Sequence, residues 1–186
     1  MRSAIFGLIL AVFFAPPICE GGQPGKKVAL LVGINQYQHS EFRSLRFAER
    51  EVKELEKELK TLEFEVTILT GEKATRRAIH ETLKSLVKPL GSEDSMMVML
   101  SGHGLQWDAH AGDRGERPQA YFCPYDADRE NRATLLSLTY VSDRVLVPNV
   151  GRPLLVVDDC RSEPRDLSGV GLTPNSVPGV MRVRVG

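Results

Sequence analysis

Met96-Met97-Val98-Met99-Leu100-Ser101-Gly102-His103-Gly104 is an apolar run that stops at an imidazole set between two glycines. A short continuous apolar run closed by a turn signal fits a strand buried on both faces, as in a parallel sheet. Upstream, Lys27-Val28-Ala29-Leu30-Leu31-Val32-Gly33 reads the same way. Downstream, Pro153-Leu154-Leu155-Val156-Val157-Asp158 does so again and runs into Asp159-Cys160-Arg161. Between the first two strands, a polar loop from Ile34 to Ser44 leads to Ala48, Val52, Leu55, Leu59 and Leu62, spaced as the buried stripe of a helix. Phe64, Val66 and Ile68 alternate as a short strand, and Thr75 is placed to cap a second helix with the stripe Ile79, Leu83, Leu86 and Leu90. A polar loop from Trp107 to Gln119, a short strand at Tyr121 to Pro124 and a helix from Leu138 to Val147, with Thr139 as its candidate cap, precede the last strand. This order predicts an α/β fold: a mostly parallel sheet with helices on both faces, a three-layer α-β-α sandwich.

Ligands of such sheets bind beyond the carboxyl ends of the strands. His103 and Cys160 both follow strands at that edge, although they lie 57 positions apart. An imidazole that accepts a thiol proton, and a thiolate that attacks a carbonyl carbon, together make a nucleophilic dyad.

The rest of the 186-residue chain bounds this reading. Lys plus Arg equals Asp plus Glu, so no basic surplus points to nucleic acid. Arg2, the apolar run Ala4 to Ala15 and the exit through Pro16-Pro17 form a signal-peptide pattern over residues 1–21, too short for a comfortable membrane span. The expectation is an exported protein that meets a membrane only through that segment, followed by a linker at 22–26. The cysteines are Cys19, Cys123 and Cys160, too few for a disulfide framework.

Lys27 to Asn35, Phe64 to Val66, Ser101 to Gly104, Tyr121 to Ala127 and Leu154 to Ser162 together resemble the caspase-like cysteine peptidases, in style the bacterial metacaspase and paracaspase branch. The likeness runs through residues 26–165 in the right order. It implies a catalytic domain over 27–165 with Cys160 as nucleophile and His103 as general base, and an oxyanion hole from the Gly104 and Cys160 backbone N–H groups. The flanking glycines are expected to keep the backbone at His103 open to substrate. Asp158, Ser101 and Glu51 are implied to grip a basic P1 side chain, Arg50-Glu51 standing where the family usually has Asn-Asp. Animal caspases instead bind an acidic P1 through an arginine before the first helix, where Arg46 stands. The implied partner is a protein or peptide substrate. The resemblance implies no cofactor or metal, although some metacaspase-like members respond to calcium.

Two departures stand out. Asp159 replaces the small residue usual before the cysteine, and a carboxylate there opposes the thiolate unless Arg161 offsets it. The segment 166–186 carries no helix stripe or long buried strand, so the family's later strands are expected to be missing. The strand ending at Asp158 would then form an open edge, where a second copy could pair to give a homodimer. These departures motivate the alternative reading, a catalytically dead remnant or protein-interaction module. Other chemistry finds less support. Asp126, Asp128 and Glu130 lack the glycine of a calcium loop, Cys123 and His110 alone make no metal site, and no glycine-rich phosphate loop follows Val32.

Overall fold

A computed structural model of the chain describes residues 25–107, 119–146, 150–159 and 180–182. The expected signal segment, Cys19, His110, Cys160, Arg161 and most of segment 166–186 lie outside the described residues. Five strands form the main sheet: β1 (Lys27–Gly33), β2 (Glu65–Thr70), β3 (Ser95–Gly102), β7 (Arg152–Asp159) and β8 (Val180–Arg182), in the order β2-β1-β3-β7-β8. All neighbours are parallel. A smaller antiparallel sheet joins β4 (Gly104–Trp107), β5 (Gln119–Phe122) and β6 (Leu136–Ser137).

The two-residue period of a strand sends alternate side chains to opposite faces. Ala29, Leu31, Met97, Met99, Leu154 and Val156 face helix α1 (Ala48–Thr61), which buries Val52, Leu55 and Leu59 against them. Val28, Leu30, Val32, Met96, Val98, Leu100, Leu155 and Val157 face the other way. There they pack with Ile79 and Leu83 of α2 (Arg76–Val87) and with Val141 and Val145 of α3 (Leu138–Val145). The predicted three-layer sandwich is therefore present. Thr75 caps α2 as expected, its hydroxyl accepting the Ala78 N–H at 3.2 Å.

Several local expectations are corrected. Leu62 does not continue the buried stripe: α1 ends at Thr61, Glu63 takes a left-handed φ of 64°, and Leu62 is left 38% exposed. Leu90 is buried, but beyond the end of α2. The cap of α3 is Ser137 rather than Thr139; its hydroxyl accepts the Tyr140 N–H at 3.3 Å. Trp107 and Gln119, read as the ends of a loop, are register partners in the β4–β5 pair.

The C-terminal edge also differs from expectation. β8 runs beside β7, pairing Leu155 with Val180, Val156 with Met181 and Val157 with Arg182, so β7 is not an open edge there. Among the described residues, no helix is long and apolar enough to cross a membrane.

Candidate active site

Parallel strands end at a common edge, and the register sets what stands along it. Thr70, Gly33, Ser101 and Asp158 form one row across β2, β1, β3 and β7. Ser101 continues the face begun by Met97 and Met99, and Asp158 the face begun by Leu154 and Val156, so polar groups replace apolar ones where α1 begins. Both are buried, Ser101 fully and Asp158 to 5% exposure. The Ser101 hydroxyl donates to Glu51 Oε2 at 3.3 Å. Three residues expected around a basic side chain are thus gathered, two as register neighbours and the third by a hydrogen bond. Arg46 is exposed, two residues before α1.

The start of α1 is fixed from β1. Phe47 at the N-cap offers no side-chain acceptor, and the Asn35 amide takes that role: Oδ1 accepts the Glu49 N–H at 3.3 Å, while Glu49 Oε1 accepts the Asn35 N–H at 3.3 Å. Gly33 permits the close approach, since a Cβ there would lie 2.7 Å from the Ala48 carbonyl oxygen.

His103 follows β3 at the bend into β4 and is 8% exposed. Its Nε2 lies 2.7 Å from the Arg43 carbonyl oxygen. A carbonyl only accepts, so Nε2 carries a proton, and in the neutral ring Nδ1 is the basic nitrogen. The His103 N–H donates to the Tyr37 hydroxyl at 2.7 Å, and its carbonyl accepts the Cys123 N–H at 2.9 Å. The rings of Tyr37 and Phe42 lie beside the imidazole at centroid distances of 5.2 and 6.0 Å.

The expectation that both glycines leave open backbone is corrected at Gly102. A Cβ there would stand 2.9 Å from the Tyr37 hydroxyl and 3.0 Å from the Phe122 ring, so protein fills that space. Gly104, expected in the oxyanion hole, opens β4 in register with Phe122.

Cys160, expected as nucleophile, lies outside the described residues. β7 is described through Asp159, whose register partner is Gly102, the residue before His103. Cys123 is placed and is fully buried; burial, partly offset by nearby Arg129, pushes its thiol up to about 12. Asp126 and Asp128 accept the backbone N–H groups of Arg76 and Glu130, at 2.8 and 2.9 Å. Among the described residues, no group of three or more His, Cys, Asp or Glu side chains could hold a metal ion.

Sequence reasoning passed over Tyr37, Phe42 and Arg43, which lie in the segment read as a polar loop. The one available signal was two aromatic residues, Tyr37 and Phe42, in an otherwise polar stretch. Arg43 contributes only its backbone carbonyl, for which the sequence carries no signal.

Fold and site together define an open parallel α/β sheet with an oriented imidazole and, at its carboxyl edge, Glu51 and Asp158 gathered about Ser101. The chain belongs to the caspase domain family, a family of cysteine peptidases, whose profile matches residues 26–178. Among solved structures it is similar to a Geobacter sulfurreducens protein, at 22% identity and a TM-score of 0.57, over 72% of this chain and 49% of that one. It is also similar to pro-sf-caspase-1, at 15% identity and a TM-score of 0.52, over 90% of this chain and 62% of that one. The chain therefore spans less than two thirds of the length of either, and the likeness is one of fold. No curated protein matches the sequence.

Proposed function

We propose that the chain is a metacaspase-like cysteine endopeptidase that cleaves after a basic residue, with Cys160 as nucleophile and His103 as general base. The observation that carries this reading is the bond between His103 Nε2 and the Arg43 carbonyl, which leaves Nδ1 as the basic nitrogen at the sheet edge. Nδ1 takes the Cys160 thiol proton, and the thiolate attacks the scissile carbonyl carbon. The Gly104 and Cys160 N–H groups receive the resulting oxyanion. Collapse breaks the C–N bond as Nδ1–H protonates the leaving amine, and water then hydrolyses the thioester with the same imidazole as base.

The preference for a basic P1 rests on Glu51, Ser101 and Asp158. The part-buried Glu51 carboxylate, bonded to the buried Ser101 hydroxyl beside the buried Asp158, favours a cation. Arg46, exposed just before α1, is the alternative contact for an acidic P1. The reading includes export through residues 1–21, a protein or peptide substrate, and calcium as a modulator rather than a cofactor.

The test uses the full chain and Cys160→Ala with fluorogenic peptides that differ only in P1, Arg against Asp. The expected result is cleavage after Arg, reduced by roughly a thousandfold or more in the variant. Cleavage after Asp would move the P1 contact to Arg46. Cleavage that survives Cys160→Ala would remove Cys160 from the mechanism. A folded chain that cleaves neither peptide would leave the protein-binding module in its place.

A further inference from the structure

The segment between β1 and α1 surrounds one imidazole. Tyr37 supplies a hydroxyl to the His103 backbone N–H at 2.7 Å and a ring beside the imidazole. Phe42 lies 5.0 Å from the Tyr37 ring and 6.0 Å from that of His103. Arg43 supplies the carbonyl that meets Nε2 at 2.7 Å. Residues 37–43 therefore contact the backbone, the ring and one nitrogen of a residue 60 to 66 positions away.

That segment is itself held in place. The Gln38 N–H donates to the Tyr125 carbonyl at 3.0 Å, and the Leu45 N–H donates to the Asn35 carbonyl at 2.7 Å. Glu41 Oε1 accepts the Arg129 N–H at 2.6 Å. The Tyr37 hydroxyl also fills the space left by Gly102, so β3 and the loop interlock at the residue before His103.

We propose that Tyr37 is a positioning residue for His103, a role that rests on reading His103 as the base. The hydroxyl fixes the His103 backbone so that Nε2 meets the Arg43 carbonyl, which keeps Nδ1 as the unprotonated nitrogen of the neutral ring. Without it, the buried N–H loses its acceptor and the backbone shifts to find another. A sub-ångström displacement then loosens the Nε2 bond and lets the other tautomer form.

Tyr37→Phe removes one oxygen and keeps the ring. The first readout is the imidazole 15N spectrum of His103, which reports the tautomer whether or not the chain is active. A single Nε2–H tautomer is expected in the parent chain and a mixture in the variant. The second is Cys160-dependent cleavage: kcat should fall by about ten- to a hundredfold, as for a small misplacement of a reacting group, with KM within about twofold.

A folded Tyr37→Phe chain with the parent tautomer and parent kcat would overturn the proposal. Should that variant not fold, Gly102→Ala displaces the same hydroxyl with a methyl and must produce the tautomer mixture; an unchanged spectrum would overturn the proposal equally. A parent chain that cleaves nothing would count against the dyad alone, and the spectra would still decide the role of Tyr37.

Discussion

Burial does to Cys123 the opposite of what a nucleophile needs. The thiolate is the reactive form, and withdrawal from water pushes this thiol up to about 12. At pH 8 its thiolate fraction would be on the order of one in ten thousand. Iodoacetamide at pH 8 should therefore leave Cys123 unmodified in the native chain while labelling it fully in urea, as peptide mass mapping would read. Rapid native labelling would mean that the β5 region opens to solvent. The same scale explains why the surroundings of His103 escaped sequence reading. His103 and Ser101 stand at the end of an apolar run and were legible as candidates. Tyr37 and Arg43 act across 60 or more positions, one through a hydroxyl and the other through a backbone carbonyl, and no local pattern encodes such a contact.

At the scale of elements, buried parallel strands are easy to read because both faces are apolar; β1, β3 and β7 are continuous apolar runs for that reason. The small sheet is harder. β4 and β5 have four residues each and β6 has two, and what makes them strands is cross-strand pairing rather than a pattern within any one of them. The sequence places the start of α3 at Leu138, where it begins, but points to Thr139 as its cap for a related reason. Ser137 and Thr139 are both good cap residues, and the choice falls to Ser137 because it pairs with Tyr121 and ends β6 there. Ser137→Ala should accordingly lower stability by about 1 kcal/mol in urea titration. Thr139→Ala, at an exposed position, should stay within about 0.5 kcal/mol of the parent. A larger loss at Thr139 than at Ser137 would contradict the observed cap.

For the molecule as a whole, the clearest pH response expected of the fold is at His80. The ring is half-buried on α2 and stacks on Tyr140 at 4.2 Å, while Arg144 Cζ lies 5.2 Å from the Tyr140 centroid. Burial first, then Arg76 and Arg144, lower its pKa from the ordinary 6.5. The unfolded chain takes up a proton near 6.5 and the folded chain resists it until lower pH, so the unfolded state binds more protons in between. The stabilising contribution is complete above about pH 6.5 and is lost as pH falls toward the folded value. Urea midpoints taken from pH 8 to pH 5 should fall more steeply for the parent than for His80→Gln. Parallel curves would remove His80 from the explanation.

The parallel connection also orders events in time. Tyr37, Arg43 and β3 precede β7 in the chain, and Cys160 follows His103 by 57 residues. At about 5–20 residues per second, synthesis separates the two by roughly 3 to 11 seconds. For that interval the growing chain carries the imidazole and the loop that holds it, but no residue 160. In the proposed mechanism a ribosome-bound chain is therefore unable to cut itself or its neighbours before β7 has been made.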